Sequence, residues 1–211
     1  MSERYALLVD LTGRPCLAVG GGAVAARKIR GLLDAGADVT VIAPELAAPV
    51  AELAESGRVA HLAGTYGGEA AEGSWWFVVA ATDDRTVNAR VAADATGAGT
   101  WANDASDPAG GPAALPAVHR DGPVTLAVST GGTHPRAALW LRDLAADAIG
   151  PEHVTLVELV AEVQATGPAG GTTGRLDWRA DAVSGMLELI REGRAPEAKE
   201  RLQACLSSSS D

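Results

Sequence analysis

A chain of 211 residues, 47% of them apolar and with a formal net charge of −10, can bury the core of one α/β domain plus a smaller appendage. The acidic balance excludes a general nucleic-acid binder, which needs a basic face for phosphates. No stretch reaches the roughly 18 apolar residues of a membrane span, no signal-peptide pattern opens the chain, and Cys16 and Cys205 lack metal-ligand spacing, so the expectation is free thiols in a reducing cytoplasm.

In chain order, residues 16–19 read as a buried strand, 24–34 as a helix, 38–43 as a second strand and 46–56 as a helix. A short strand over 58–62 follows, then the apolar run SWWFVVAA over 74–81, of the kind found in a central parallel strand. A helix over 86–97 and a strand over 100–103 complete a βαβ pattern. Strands separated by helices imply a Rossmann-like parallel sheet with helices on both faces. The Pro- and Gly-rich stretch over 104–116 reads as the exit from that domain, and 124–129 as a further strand ending in the turn STGGTHP. Pro135 suits a first helical turn, with Thr133 or His134 as its cap and the helix running to about 149. Helices over 151–164, 178–192 and 196–206 follow, separated by a loop over 166–174 and ending in an SSSSD tail read as disordered. The expected division is 1–112 for nucleotide binding, 113–148 as a small central segment, 149–206 as a C-terminal helical domain and 207–211 as the tail.

The chemistry begins at CLAVGGGAVA. Gly20, Gly22 and Ala25 fit G-x-G-x-x-A, with Gly21 as an additional glycine. Gly20 permits the tight turn, Gly22 lets the backbone approach a pyrophosphate, and Ala25 lets helix and strand pack closely. The helix start offers unpaired N–H groups and a partial positive charge to the phosphates. The acidic residue that binds a ribose usually lies about 20 residues beyond the glycines. Here Glu45, after Pro44, stands slightly later, either as the ribose ligand or as a first-turn residue of the next helix. No Arg follows to hold a 2′-phosphate, so NAD is favoured over NADP.

The run AATDDRTVN begins at the carboxyl end of the apolar strand, where Thr82 is placed to meet a cofactor and Asp83 or Asp84 to cap the next helix. Asp104, Ser106 and Asp107 follow the fifth strand on the same edge, either as acid/base groups or as a solvated turn. Ser129, Thr130, Gly131, Gly132 and Thr133 supply hydroxyls and N–H groups at a helix start, a carboxylate-binding arrangement. Arg136 and Arg142 on that helix, and Arg120 before the preceding strand, add cations, while His119 and His134 are candidates for proton exchange near neutral pH.

Taken together, VGGGAVAARKIRGLLDAGADVTVIAPEL, AATDDRTVN and NDASDP…LPAVHRDGPVTLAVSTGGTHP resemble the siroheme synthase N-terminal module, the precorrin-2 dehydrogenase/sirohydrochlorin ferrochelatase family, over residues 5–144. The resemblance implies NAD⁺-dependent dehydrogenation of precorrin-2 to sirohydrochlorin, a homodimer formed through the central segment and, in some members, insertion of Fe²⁺ as a second substrate. By position it assigns Ala23, Val24, Pro44 and Glu45 to the cofactor and Thr130 to the family's Ser/Thr-Gly-Gly-Thr turn. The substrate is a polycarboxylate macrocycle, for which Arg120, Arg136, Arg142 and the turn over 129–133 are the candidate donors.

One departure matters. The family reads Asn-Val-Val-Asp-x-Pro where this chain has Asn103-Asp104-Ala105-Ser106-Asp107-Pro108, so the family's acid/base Asp aligns with Ser106. Serine is a poor base and a weak partner for Fe²⁺, which separates metal insertion from dehydrogenation. Asp104, Asp107 and His134 are the alternatives for proton exchange, and no metal site is assigned. A second departure is the small-residue run GGPAAL, from residue 110 to 115, where the family has bulkier groups. Two other readings stand beside this one: a related tetrapyrrole dehydrogenase with a changed substrate, and a non-catalytic NAD(H)-sensing module.

Overall fold

The computed structural model describes residues 4–107, 111–166 and 181–208. The chain divides into two compact units: residues up to Leu115 with Gly131–Thr133, and Pro116–Thr130 with the chain from His134 onward.

The first unit is built on five parallel strands, β1 (Pro15–Val19), β2 (Asp38–Ala43), β3 (Val59–Ala63), β4 (Phe77–Ala80) and β5 (Trp101–Asp104), in the order β3-β2-β1-β4-β5. Helices α1 (Ala23–Asp34), α2 (Ala48–Glu55), α3 (Glu69–Glu72) and α4 (Arg85–Gly97) connect them. Side chains alternate across each strand, and the alternation is visible in the packing. Cys16, Ala18, Val39, Val41 and Val79 pack with Ile29 and Leu32 of α1 and Val50 and Leu53 of α2. Leu17, Val19, Ile42, Val78 and Ala80 pack on the other face with Val91, Ala92 and Ala95 of α4. Both faces are covered, which is why β1 and β4 are almost wholly apolar. The strand order reverses between β1 and β4, and in such sheets ligands bind outside the carboxyl ends of the strands at that point.

The second unit holds an antiparallel hairpin, β6 (Ala117–Asp121) and β7 (Val124–Val128), and helices α5 (Pro135–Ala148), α6 (Pro151–Thr166), α7 (Asp181–Arg191) and α8 (Ala195–Ser208). Asp121 pairs with Val124 across Gly122 (φ 51°) and Pro123, the glycine-first two-residue turn that hairpins use. Leu156, Leu159, Val183, Met186, Ala198 and Leu202 bind α6, α7 and α8 into one core.

Several boundaries differ from expectation. Strand β6 is absent from the sequence reading because its AVHRD run carries charge at one end and is half-buried at the other. The four-residue α3 is too short for any periodicity to reveal. Helix α6 runs to Thr166, the first residue of the loop expected over 166–174, and helix α8 reaches Ser208, two residues into the expected tail, while 209–211, the rest of that loop and the start of the helix expected from 178 lie outside the described residues.

Candidate nucleotide site

The glycine turn is held by close packing on two sides. Gly20 has φ 121°, and a Cβ there would stand 2.3 Å from the Ala81 carbonyl oxygen, so this position needs glycine both for its backbone and for the approach of β4. A Cβ on Gly21 would lie 2.2 Å from the Glu45 carbonyl oxygen, and Ala47 N–H donates to Gly21 O at 2.9 Å. Gly21 therefore clamps the turn to the β2–α2 connection. A run of three glycines shows that an additional small residue is present, but not which distant backbone it meets.

Gly22 differs from both. It is the N-cap of α1, exposed, and a Cβ there would meet nothing within 4 Å. No side chain caps α1 and no acidic residue stands in its first turn. Four N–H groups at a helix start need partners, and here no side chain supplies a cap, while the space beside Gly22 at the positive end of the helix dipole is open. Ala23 and Val24, the first two helical residues, are exposed on the same turn, while Ala25 is fully buried against the sheet. The contrast with α4 is direct: there Asp84 accepts from Thr86 N–H at 2.7 Å and Val87 N–H at 3.4 Å, so that helix start is capped from within. Of the two Asp candidates for that cap, Asp84 is the one used. The start of α1 thus fits a dinucleotide pyrophosphate.

Pro44 and Glu45 follow β2 and are both exposed. Helix α2 begins at Ala48 after the N-cap Ala47, so Glu45 is not one of its first-turn residues. Thr82 follows β4, but its hydroxyl is engaged within its own turn, with Asn88 Oδ1 at 2.7 Å and Asp84 O at 3.0 Å. The hydroxyl expected to meet a cofactor is committed to shaping the β4–α4 connection.

The residue that organises this edge is Asn88, which sequence reasoning missed. It is fully buried on α4. Its Oδ1 accepts from Thr82 N–H at 2.9 Å as well as from the Thr82 hydroxyl, and its Nδ2 donates to Thr82 O at 3.0 Å and to Ser106 Oγ at 3.2 Å. A polar residue at a position of α4 that falls among Val91, Ala92 and Ala95 was the available signal. Ser106 Oγ in turn lies 2.6 Å from Asp104 Oδ1, which also accepts from Ser106 N–H at 2.7 Å and Asp107 N–H at 3.2 Å. Asp104, Ser106, Asn88 and Thr82 therefore form one hydrogen-bonded chain across the carboxyl ends of β4 and β5. Asp107 is exposed beside it, and Pro108 lies outside the described residues.

The remaining candidates belong to the second unit or its connecting turn. Arg120 and Arg136 are exposed, and no ion pair among the described residues engages either. Arg142 is tied to Asp143, with Nε at 2.9 Å and Nη2 at 2.5 Å. Arg136 and Arg142 are six residues apart, which sets them about 120° apart around α5 rather than on one face. Ser129, Gly131, Gly132 and Thr133 are exposed, with Gly131 and Gly132 at φ 65° and 83°. Thr130 Oγ1 donates to His134 O at 3.0 Å. His134 is the N-cap residue of α5, but its side chain makes no capping bond; the backbone and Pro135 start the helix. Among the described residues no group of three or more His, Cys, Asp or Glu could hold a metal ion, and no helix is long and apolar enough to cross a membrane.

Comparison with known proteins agrees with this geometry. A family model described as "Putative NAD(P)-binding" matches residues 7–117. Siroheme synthase 3 of Aeromonas hydrophila is 44% identical over 151 residues, covering 72% of this chain and 32% of that protein. A siroheme synthase of Methylobacillus flagellatus is 34% identical over 209 residues, covering 97% of this chain and 44% of that protein. The chain thus spans 32% to 44% of the length of these relatives. Among solved structures, SirC, precorrin-2 dehydrogenase, superposes with a TM-score of 0.69 at 27% identity, covering 95% of this chain and 98% of that one. With the model matching more than half of its length, the chain belongs to this NAD(P)-binding family, in the group formed by the siroheme synthase N-terminal module.

Proposed function

We propose that this chain is an NAD⁺-dependent dehydrogenase that converts precorrin-2 to sirohydrochlorin in sirohaem biosynthesis. One observation carries the reading: an uncapped α1 start with open space at Gly22 lies at the switch point of a sheet whose likeness to SirC, precorrin-2 dehydrogenase, extends through 95% of the chain. The backbone of Gly20, Gly21, Gly22, Ala23 and Val24 holds the pyrophosphate, and Pro44 and Glu45 border the adenosine ribose. The absence of an Arg after Glu45 favours NAD over NADP. The bound nicotinamide supplies the hydride acceptor, which is the difficult part of the chemistry. The chain's own residues bind and orient the partners and take up one proton. Arg120 and Arg136 are the proposed donors to substrate carboxylates, with the turn over 129–133 adding N–H and hydroxyl groups.

We further infer a cytoplasmic homodimer. Leu139, Trp140, Leu141 and Leu144 of α5 are 44%, 63%, 37% and 54% exposed, a concentration of apolar surface that a monomer rarely leaves open. In this reading 1–112 is the nucleotide domain, 113–148 the dimerising segment and 149–206 the helical domain.

The test is anaerobic incubation of the purified chain with precorrin-2 and NAD⁺. NADH absorbance and the sirohydrochlorin chromophore should rise together, and an unchanged spectrum would overturn the assignment. Fe²⁺ or Co²⁺ added to the product then asks whether the chain also inserts metal. Tight NADH binding without turnover would instead support a sensing module.

A further inference from the structure

We propose that Asp104, rather than Ser106, is the proton acceptor of the reaction, and that Ser106 and Asn88 are positioning residues that present it. This rests on the dehydrogenase reading above and assigns the group that reading leaves unnamed. Asp104 ends β5 on the ligand edge of the sheet, with its side chain on the α4 face and only 4% of the residue exposed.

The direction of each hydrogen bond follows from chemistry. Asn88 Nδ2 is a donor only, so Ser106 Oγ must accept from it. The single hydroxyl hydrogen of Ser106 is then left for Asp104 Oδ1, 2.6 Å away. Asn88 cannot turn its amide over, because Oδ1 is already held by Thr82 N–H and the Thr82 hydroxyl. Ser106 is thereby fixed as a donor to the carboxylate, and its oxygen is far less basic than the group it serves. Asp104 Oδ1 takes three hydrogen bonds. Oδ2 takes none among the described residues, yet the one fully enclosed side-chain polar atom there without a partner is Asn103 Oδ1. Oδ2 is therefore not sealed in. The carboxylate is gripped by one oxygen, and the other is unbonded among the described residues and not fully enclosed.

The elements packed around it bring little competing charge. β4 is Phe-Val-Val-Ala, and the α4 face toward the sheet is Asn88, Val91, Ala92 and Ala95. The charged groups of these elements are Asp107 on the same loop and Asp83, Asp84 and Arg85 at the start of α4, all exposed, with Arg90 and the half-buried Asp94 further along α4 paired with each other at 3.6 Å. In the step itself one substrate C–H bond breaks with its electron pair leaving as hydride to the oxidised nicotinamide. An adjacent N–H or C–H bond gives its proton to Oδ2, and a new double bond forms in the macrocycle. The macrocycle is oxidised, NAD⁺ is reduced, and Asp104 ends neutral until it releases the proton to water.

The experiment compares wild type, Asp104→Asn, Asp107→Asn, Ser106→Ala and the exchange variant Asp104→Val/Ser106→Asp, with NADH binding by calorimetry as a check on folding. Wild type should show kcat falling on the acid side as the carboxylate protonates. Asp104→Asn should bind NADH as wild type does, lose about 100-fold in kcat and lose the acid limb. Ser106→Ala should keep most of its rate with the limb moved to higher pH, because a donor to the ionised carboxylate is gone. The exchange variant should recover turnover, since it returns a carboxylate to the same hydrogen-bonded chain. In ¹³C-aspartate spectra without cofactor, the signal missing from Asp104→Asn should titrate higher in Ser106→Ala. An Asp104→Asn enzyme that keeps both rate and acid limb, or a loss confined to Asp107→Asn, overturns the assignment alone. A wild type that forms no NADH overturns the dehydrogenase reading and this assignment with it.

Discussion

Helices α1 and α5 both begin shortly after adjacent glycines, and the two starts are built differently. At α1 the turn is gripped by backbone on both sides, Gly20 by Ala81 and Gly21 by Glu45, and only Gly22 faces open space. At α5 a Cβ on Gly131 would meet nothing within 4 Å, and Gly131 and Gly132 both have left-handed φ values of 65° and 83°. Glycine is required at α1 chiefly because other backbone comes too close, and at Gly131 because of backbone conformation alone. A turn clamped by neighbouring strands presents its N–H groups in a fixed place, as a phosphate cradle requires. At α5 the demand for glycine at Gly131 comes from its left-handed backbone, and Thr130 Oγ1 closes the turn on His134 O at 3.0 Å.

The largest test of this contrast is Gly20→Ala or Gly21→Ala. Each puts a methyl group inside contact distance of a carbonyl oxygen on another segment, and each should cost about 3 kcal/mol of stability, read from the urea midpoint. A shift below a third of that would show that the clamp is soft. Gly22→Asp should leave the midpoint in place, since its Cβ meets nothing, but weaken NAD⁺ binding by about 100-fold or more by setting a carboxylate against the pyrophosphate. Calorimetry with unchanged affinity would place the dinucleotide elsewhere.

Asn88→Leu should cost about 2 kcal/mol by leaving Thr82 N–H and carbonyl groups unpaired, and should slow turnover through Ser106 as well. Normal turnover in a destabilised protein would separate the two roles. Gly131→Ala should cost only about 1 kcal/mol, the strain of a left-handed alanine without a steric clash. The smallest effect expected concerns Cys16. Burial pushes its thiol up to about 11, so the neutral form persists through pH 9, and alkylation of the folded protein should reach Cys205 and spare Cys16. Rapid labelling of Cys16 would mean that β1 opens far more readily than its packing allows.

The sheet was legible because its strands are short apolar runs spaced by helices, and the α1 start because its small residues fall at the spacing that strand, turn and helix require. The cap at Asp84 was legible as one of two neighbouring Asp residues, since the local chain alone decides such a bond. Hairpin β6–β7 left a usable signal in Asp121-Gly122-Pro123-Val124, whose glycine-first turn sits between short runs able to pair. Candidate carboxylates at 104 and 107 could be located but not ranked. Their ranking depends on Asn88, which is 16 residues from Asp104 in sequence and joined to it only through Ser106.

Residue order alone determined the strands of the parallel sheet and the longer helices, which helix start is glycine-lined, and the family to which those motifs point. These follow from periodicity and local dihedral preference, which act over a few neighbours. Only the tertiary structure decided why Gly21 must be glycine, that Thr82 turns inward, and that the hydrogen of Ser106 belongs to Asp104. Each of those facts depends on an atom brought close by the sheet from a distant part of the chain, where the steric and hydrogen-bonding demands of one segment are set by another.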